Sequence, residues 1–253
     1  MTVLPKKRLG QHFLVDENVL RVIERLAGLG RDDVVLEIGP GRGVLTRFLA
    51  ERVAHVHAVE LDRSLEPDLR GLPRTTLHWG DALALDLGAL TPPPDKLVSN
   101  LPYNVATPIV VESLDGSPTD QSWCVMVQRE VADRFFADPG TKAYGAVSVL
   151  LQLATERVGF HPVSREVFRP RPNVESALVA FRRTASSIPP QVRPVVEAAF
   201  AHRRKMLANS LALAGVAARD VAVQALSAIG RAPTVRAEEL APAEFVALAD
   251  ALL

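Results

Sequence analysis

Val34-Val35-Leu36-Glu37-Ile38-Gly39-Pro40-Gly41-Arg42-Gly43 is the stretch that decides the architecture. Its first five residues are mostly aliphatic, with no polar alternation, the texture of a strand buried on both faces. Gly39, Gly41 and Gly43 then allow a tight turn and let a ligand lie close against the backbone. From Val44 to Arg52 the spacing predicts a helix, with Leu45, Phe48 and Leu49 on one side. Strand, glycine turn and helix open a parallel α/β sheet, in which ligands bind beyond the carboxyl ends of the strands.

The same alternation continues outward. Strands are predicted over 55–60, 75–79, 96–99 and 121–127, with helices over 63–71 and near 130–137. The whole points to a doubly wound, Rossmann-like sheet. Residues 154–160 and 176–181 read as strands without a full helix between them, which suggests a reversed pair at the sheet edge. After Ser186-Ser187-Ile188-Pro189-Pro190 the texture changes to alanine- and leucine-rich helical runs over 192–214, 218–229 and 242–253. The expected division is a catalytic domain over 1–185 and a small helical domain over 186–253.

Composition bounds the class. Of 253 residues, 48% are hydrophobic and 23% charged, which excludes a disordered chain. The single cysteine, Cys124, cannot form an internal disulfide, and no stretch has the length of a secretory or membrane-spanning segment, so the expected location is the cytoplasm. Net charge is zero but segregated. Residues 60–120 hold ten acids against four bases, a balance of −6; residues 157–205 hold ten bases against three acids, a balance of +7. Lys6, Lys7 and Arg8 add a second basic cluster. A neutral molecule can thus carry a patch for polyanions, or merely a solvated charged face.

The glycine turn does not fit a dinucleotide. That site needs G-x-G-x-x-G, and the third place falls on Val44 or Thr46. Glu60 ends the second strand, 21 residues past Gly39, where a carboxylate can accept the hydroxyls of a ribose. Asp81, after the third strand, can accept from an adenine amine. S-adenosylmethionine bears a sulfonium and no phosphate, so an acidic crevice suits it better than NAD. The plain alternative is that both acids cap the helices that follow them.

Ser99-Asn100-Leu101-Pro102-Tyr103-Asn104 follows the fourth strand. It has the (Asp/Asn)-x-Pro-(Tyr/Phe) arrangement of amino-methyltransferases acting on adenine or cytosine. The N6 lone pair of adenine is delocalised into the ring and attacks poorly. An Asn100 side-chain oxygen and the Leu101 carbonyl can each accept one N6–H bond and aim that lone pair at a methyl donor. Pro102 stiffens the turn, and Tyr103 offers a face on which an extruded base can stack. Its competitor is an ordinary turn with a partly buried tyrosine.

With these residues assembled, the chain resembles the ribosomal RNA adenine N6,N6-dimethyltransferase family, of the small-subunit (KsgA/RsmA) type, over nearly its whole length. Leu9-Gly10-Gln11-His12-Phe13-Leu14 matches an N-terminal motif in which the His12 and Leu14 positions cover the cofactor. The segments 37–43, 60–62, 80–82, 100–104 and 142–145 match further motifs. Phe168 before Pro170 and Pro172 resembles a loop whose aromatic ring packs on the target base. His202-Arg203-Arg204-Lys205 resembles the RNA-binding basic motif opening the helical domain. Departures are His12 where asparagine is frequent, Ala106 for a usual serine, and Arg171 and Asn173 for proline and lysine.

The resemblance implies transfer of four methyl groups from S-adenosylmethionine to two adjacent adenines near the 3′ end of 16S ribosomal RNA. No association stripe appears, so a monomer is expected, with neither membrane nor DNA as partner. The site it implies comprises His12, Leu14, Gly39, Gly41, Glu60, Asp81 and Asn100 for the cofactor. Asn100, Leu101, Pro102, Tyr103 and Phe168 serve the base, and Arg203, Arg204 and Lys205 the RNA. Three alternatives stand beside it: the large-subunit adenine methyltransferase of macrolide resistance, a non-catalytic RNA-binding factor, and a DNA adenine methyltransferase. Leu101 and Asn104 favour the small-subunit type. Intact Gly39, Glu60, Asp81 and Asn100 favour catalysis, and nothing in the chain reads as an element for a duplex groove.

Overall fold

A computed structural model describes residues 11–117, 119, 121–184 and 187–253. The basic residues Lys6, Lys7 and Arg8, the motif residues Leu9 and Gly10, the counted acid Asp120 and the expected domain start at Ser186 lie outside the described residues. Elements run β1 (Phe13–Leu14), α1 (Glu17–Ala27), β2 (Val34–Ile38), α2 (Val44–Ala50), β3 (His55–Glu60), α3 (Glu66–Leu69), β4 (Thr75–Trp79), β5 (Lys96–Asn100), α4 (Ala106–Gly116) and β6 (Ser122–Gln128). Then come α5 (Arg129–Phe135), α6 (Ala146–Ala154), β7 (Thr155–Val163), β8 (Phe168–Arg169), β9 (Ser176–Arg183), α7 (Val192–Ala201), α8 (Leu207–Leu213), α9 (Arg219–Ala228) and α10 (Pro242–Ala251). The described residues divide into two compact units, one of 11–132 with 156–183 and one of 133–155 with 184–253.

Within the first unit, seven strands lie in the order β4-β3-β2-β5-β6-β9-β7. β2 pairs in parallel with β3 on one side and β5 on the other. The order therefore reverses between β2 and β5, and a crevice opens beyond their carboxyl ends. Val35, Leu36 and Leu97 are fully buried, as a largely aliphatic texture predicts for strands covered on both faces. α1 is amphipathic and packs on β5, β6 and β9 through Val19, Leu20, Ile23 and Ala27. Its start is set by Asp16, which accepts from the Asn18 and Val19 amides, and its end by left-handed Gly28. β9 runs antiparallel to β6, so the edge reverses as expected.

Three expectations need correction. Residues 192–214 are not one helical stretch: α7 and α8 are separated at 202–206, where the Leu207 amide donates to the Val235 carbonyl at 2.8 Å. Ala- and Leu-rich composition favours helix throughout, and tertiary bonds override it. The helical unit also takes in 133–155, placed by the sequence reading in the first domain. There Tyr144 is fully buried and donates its hydroxyl to the Leu240 carbonyl at 2.8 Å. Finally, Phe168 offers no face to a base. β8 pairs antiparallel with β1, Leu14 opposite Phe168, and the ring is fully buried in the core with Leu14, Leu20 and Ile23. An aromatic side chain there is held by the hydrophobic effect, away from any opening.

Candidate active site

The glycine turn and the Asn100 turn meet at the reversal point. The Ile38 amide donates to Ser99 Oγ at 2.8 Å, fastening the ends of β2 and β5 together. Gly39 has φ +75°, and a Cβ there would lie 3.1 Å from Pro102 Cδ and Cγ. Gly41 has φ +58°, and a Cβ there would lie 2.9 Å from the Phe13 ring. Only glycine permits both the left-handed backbone and this closeness. β1 thereby lies against one turn, and the proline of Asn100-Leu101-Pro102-Tyr103 lies against its neighbour.

These turns wall a cleft lined by Gln11, His12, Phe13, Leu14, Glu37, Gly39, Gly41, Glu60, Leu61, Asp81, Asn100, Leu101, Pro102 and Tyr103, among others. Every cofactor and base residue expected from the sequence is present except Phe168. Asn100 Nδ2 donates to the His12 carbonyl at 3.2 Å, which fixes the amide. Asn100 Oδ1 is buried and has no hydrogen-bond partner among the described residues. A buried acceptor left unsatisfied costs about 1–3 kcal/mol, so it marks where a donor belongs.

Tyr103 donates to or accepts from Ser176 Oγ at 2.6 Å, and its ring stacks on His12 with centroids 5.6 Å apart. Burial raises the Tyr103 phenol above the ordinary tyrosine range. His12 Nδ1 lies 2.8 Å from the Pro170 carbonyl, which only accepts, so that nitrogen bears the proton.

Glu60 serves the turn first. Its Oε2 accepts from the Gly41 amide at 3.1 Å and its Oε1 from the Asp62 amide at 2.8 Å. Each carboxylate oxygen keeps a further lone pair for a hydroxyl. Burial raises its pKa, and the bonds from Asp62 and Gly41 oppose that rise. Asp81 is exposed; its Oδ1 accepts from the Leu83 amide at 3.0 Å, so it caps a turn and lines the cleft at once.

Two contributors were missed by sequence reasoning. Glu37 sits in the cleft wall with 1% exposure, its Oε2 without a hydrogen-bond partner among the described residues. Burial pushes its carboxyl up to about 8, and the nearby Glu60 charge adds to the rise. The signal was available, a lone acid in an apolar strand. Ser176 is also almost fully buried, and nothing local distinguished it.

Among the described residues no group of three or more His, Cys, Asp or Glu side chains is placed to hold a metal ion. The cleft instead offers carboxylates, glycine cradles that a Cβ would fill and one orphaned amide oxygen. It fits an uncharged base beside a cationic, phosphate-free donor.

The family described as ribosomal RNA adenine dimethylase matches residues 4–252. The chain belongs to that family. It is an enzyme dependent on S-adenosylmethionine, with the Rossmann-like sheet and helical C-terminal part that the alternation and composition of the sequence predict. A Ribosomal RNA small subunit methyltransferase A from Rubrobacter xylanophilus is 49% identical over 98% of this chain and 95% of its own length. A protein of the same name from Phenylobacterium zucineum is 44% identical over 98% and 88%. Among solved structures, a dimethyladenosine transferase from Plasmodium falciparum superposes with a TM-score of 0.76 at 21% identity, covering 94% of this chain and 96% of that one. The 23S rRNA methyltransferase ErmE superposes at 0.66 with 28% identity, covering 95% and 99%. This dimethylase shares more sequence with the small-subunit enzymes than with that large-subunit one.

In the helical unit, the basic motif forms the turn between α7 and α8. Arg203 is engaged there: Nε donates to Glu238 Oε2 at 2.9 Å and Nη2 to the Thr141 carbonyl at 3.3 Å. Arg204 and Lys205 are exposed and make no ion pair among the described residues. Also among the described residues, no helix is long and apolar enough to cross a membrane.

Proposed function

We propose that this dimethylase adds two methyl groups to N6 of each of two adjacent adenines near the 3′ end of 16S ribosomal RNA, as the small subunit assembles. It acts as a cytoplasmic monomer on RNA and not on DNA. The observation that carries the reading is the buried Asn100 Oδ1, which lacks a donor among the described residues and lies at the seam between the glycine turn and the Tyr103 turn. S-adenosylmethionine, when bound, supplies the methyl group on a sulfonium.

Everything else is the work of the chain. Asn100 Oδ1 and the Leu101 carbonyl accept the two N6–H bonds, which favours a tetrahedral nitrogen with its lone pair directed out of the ring. Tyr103 stacks on the extruded base. Gly39 and Gly41 admit the cofactor against the backbone, Glu60 takes its ribose hydroxyls, Asp81 its adenine amine, and His12 and Leu14 close over it. Asn100 serves both ligands. Arg204 and Lys205 meet RNA phosphates, while Arg203 holds their turn.

The test is mass spectrometry of both ribosomal RNAs after incubating unmethylated ribosomal subunits with enzyme and cofactor. N6,N6-dimethyladenosine at neighbouring positions in 16S RNA is expected. Label confined to 23S RNA would transfer the reading to the macrolide-resistance class, and absence of label from both would end it.

A further inference from the structure

We propose that Ser176 is a positioning residue for methyl transfer, aiming the Tyr103 ring at the target base through the hydrogen bond between their hydroxyls. The inference rests on reading this cleft as the place where adenine is methylated. Its basis is topological. Parallel strands deliver their last residues to the catalytic edge, as β5 delivers Asn100. β9 runs the other way, so it delivers its first residue. Asn100 pairs with Met126 of β6, and Ser176 of β9 pairs with Gln128, two residues further along the same strand.

The bond is well placed to act on orientation. The oxygens lie 2.6 Å apart, near the short end for two hydroxyls. Ser176 is 1% exposed, so water does not readily substitute for it. A tyrosine ring turns about two torsions; the phenol oxygen lies on the axis of the second, so a grip there fixes where the ring points through the first, at the contact farthest from the backbone. His12 restrains the same ring from its face. The segment carrying Ser176 is meanwhile fixed without the hydroxyl. The Arg129 amide donates to the Glu175 carbonyl at 2.9 Å, and Glu175 Oε2 accepts from the Arg165 amide at 2.9 Å. Removing Oγ should therefore loosen the ring and leave the strand in place.

The experiment measures methyl transfer to unmethylated small subunits by the whole chain and its variants, with cofactor affinity determined separately. Ser176→Ala is expected to lower kcat about five- to tenfold, the scale set by one hydrogen bond, with cofactor Kd unchanged. Tyr103→Phe, which deletes the other half of the same bond, should lose as much. The double variant should be no slower than either single one, because both remove one interaction. Ser176→Thr should recover most of the rate. A wild-type kcat in Ser176→Ala, or losses that multiply in the double variant, overturns the inference. So does a parallel fall in cofactor affinity, the mark of general damage. If Ser176→Ala fails to fold, a wild-type rate in Tyr103→Phe overturns it equally. A wild-type enzyme that methylates no adenine would discard the reading of the cleft, and the inference with it.

Discussion

The turn after β5 and the turn between α7 and α8 both carry polar residues for which a role is proposed, and they are built on opposite terms. Around Asn100 nearly every polar atom is accounted for: the amide nitrogen by His12, the strand ends by Ile38 and Ser99, the tyrosine by Ser176. Asn100 Oδ1 is left without a donor among the described residues. Around Arg204 and Lys205 the charged heads stand in solvent, and the internal bonds go to their neighbour Arg203. The difference matches the ligands proposed for each turn. A neutral base is activated only by acceptors fixed beforehand in a dry pocket, whereas phosphates respond to charge density that need not be rigid.

The largest test of that contrast is Asn100→Ala. It removes the orphaned acceptor and should cut kcat roughly 10²-fold or more, while cofactor affinity falls far less. Labelled methyl transfer and a binding titration measure the two separately; unchanged turnover would show that the buried acceptor is incidental. Gly39→Ala comes next. The added methyl must adopt φ +75° and displace Pro102 from 3.1 Å, straining both turns together. Cofactor affinity and kcat should fall together, by about tenfold each. A loss confined to one of them would mean that the two turns are not mechanically coupled.

The parts legible in the sequence were those fixed by local chemistry. Residues 34–43 announced strand, turn and helix through composition alone, and the Asn100 turn declared itself by residue types that do a specific job. What escaped depends on partners far along the chain. Phe168 sits among prolines and looks like loop, yet β8 pairs with β1 more than 150 residues earlier, and that pairing buries the ring. The break between α7 and α8 has no glycine or proline to signal it; there the Leu207 amide bonds Val235 and Arg203 reaches Glu238 and Thr141, all far along the chain. Ser176 reads as the start of an ordinary strand until the reversal of β9 is known.

pH separates the two regions further. Glu37 is the titratable group through which the cleft should register alkali. Its folded pKa, about 8, lies above the ordinary carboxylate value, so the folded state holds a proton that the unfolded state releases near pH 4.5. Its stabilising contribution is complete below pH 4.5 and is lost as pH rises through 8. Glu37→Gln should therefore match the wild type near pH 5 and melt several degrees higher at pH 9. Equal melting temperatures at both pH values would indicate that the carboxyl ionises freely in the fold.

Salt should act on the other region, and with the smallest effect. If Arg204 and Lys205 each neutralise one phosphate, replacing both with alanine lowers the slope of log affinity against log salt by about 1.4 to 1.8. kcat at saturating RNA should stay at the wild-type value, since neither residue lines the cleft. Arg203→Ala should behave differently again. Its guanidinium is already paired with Glu238, so the salt slope should barely move while the melting temperature drops. A filter-binding series at several salt concentrations distinguishes these outcomes. If Arg203→Ala changed the slope as much as the other two, its pairing would have to break when RNA binds, and all three cations would act as one patch.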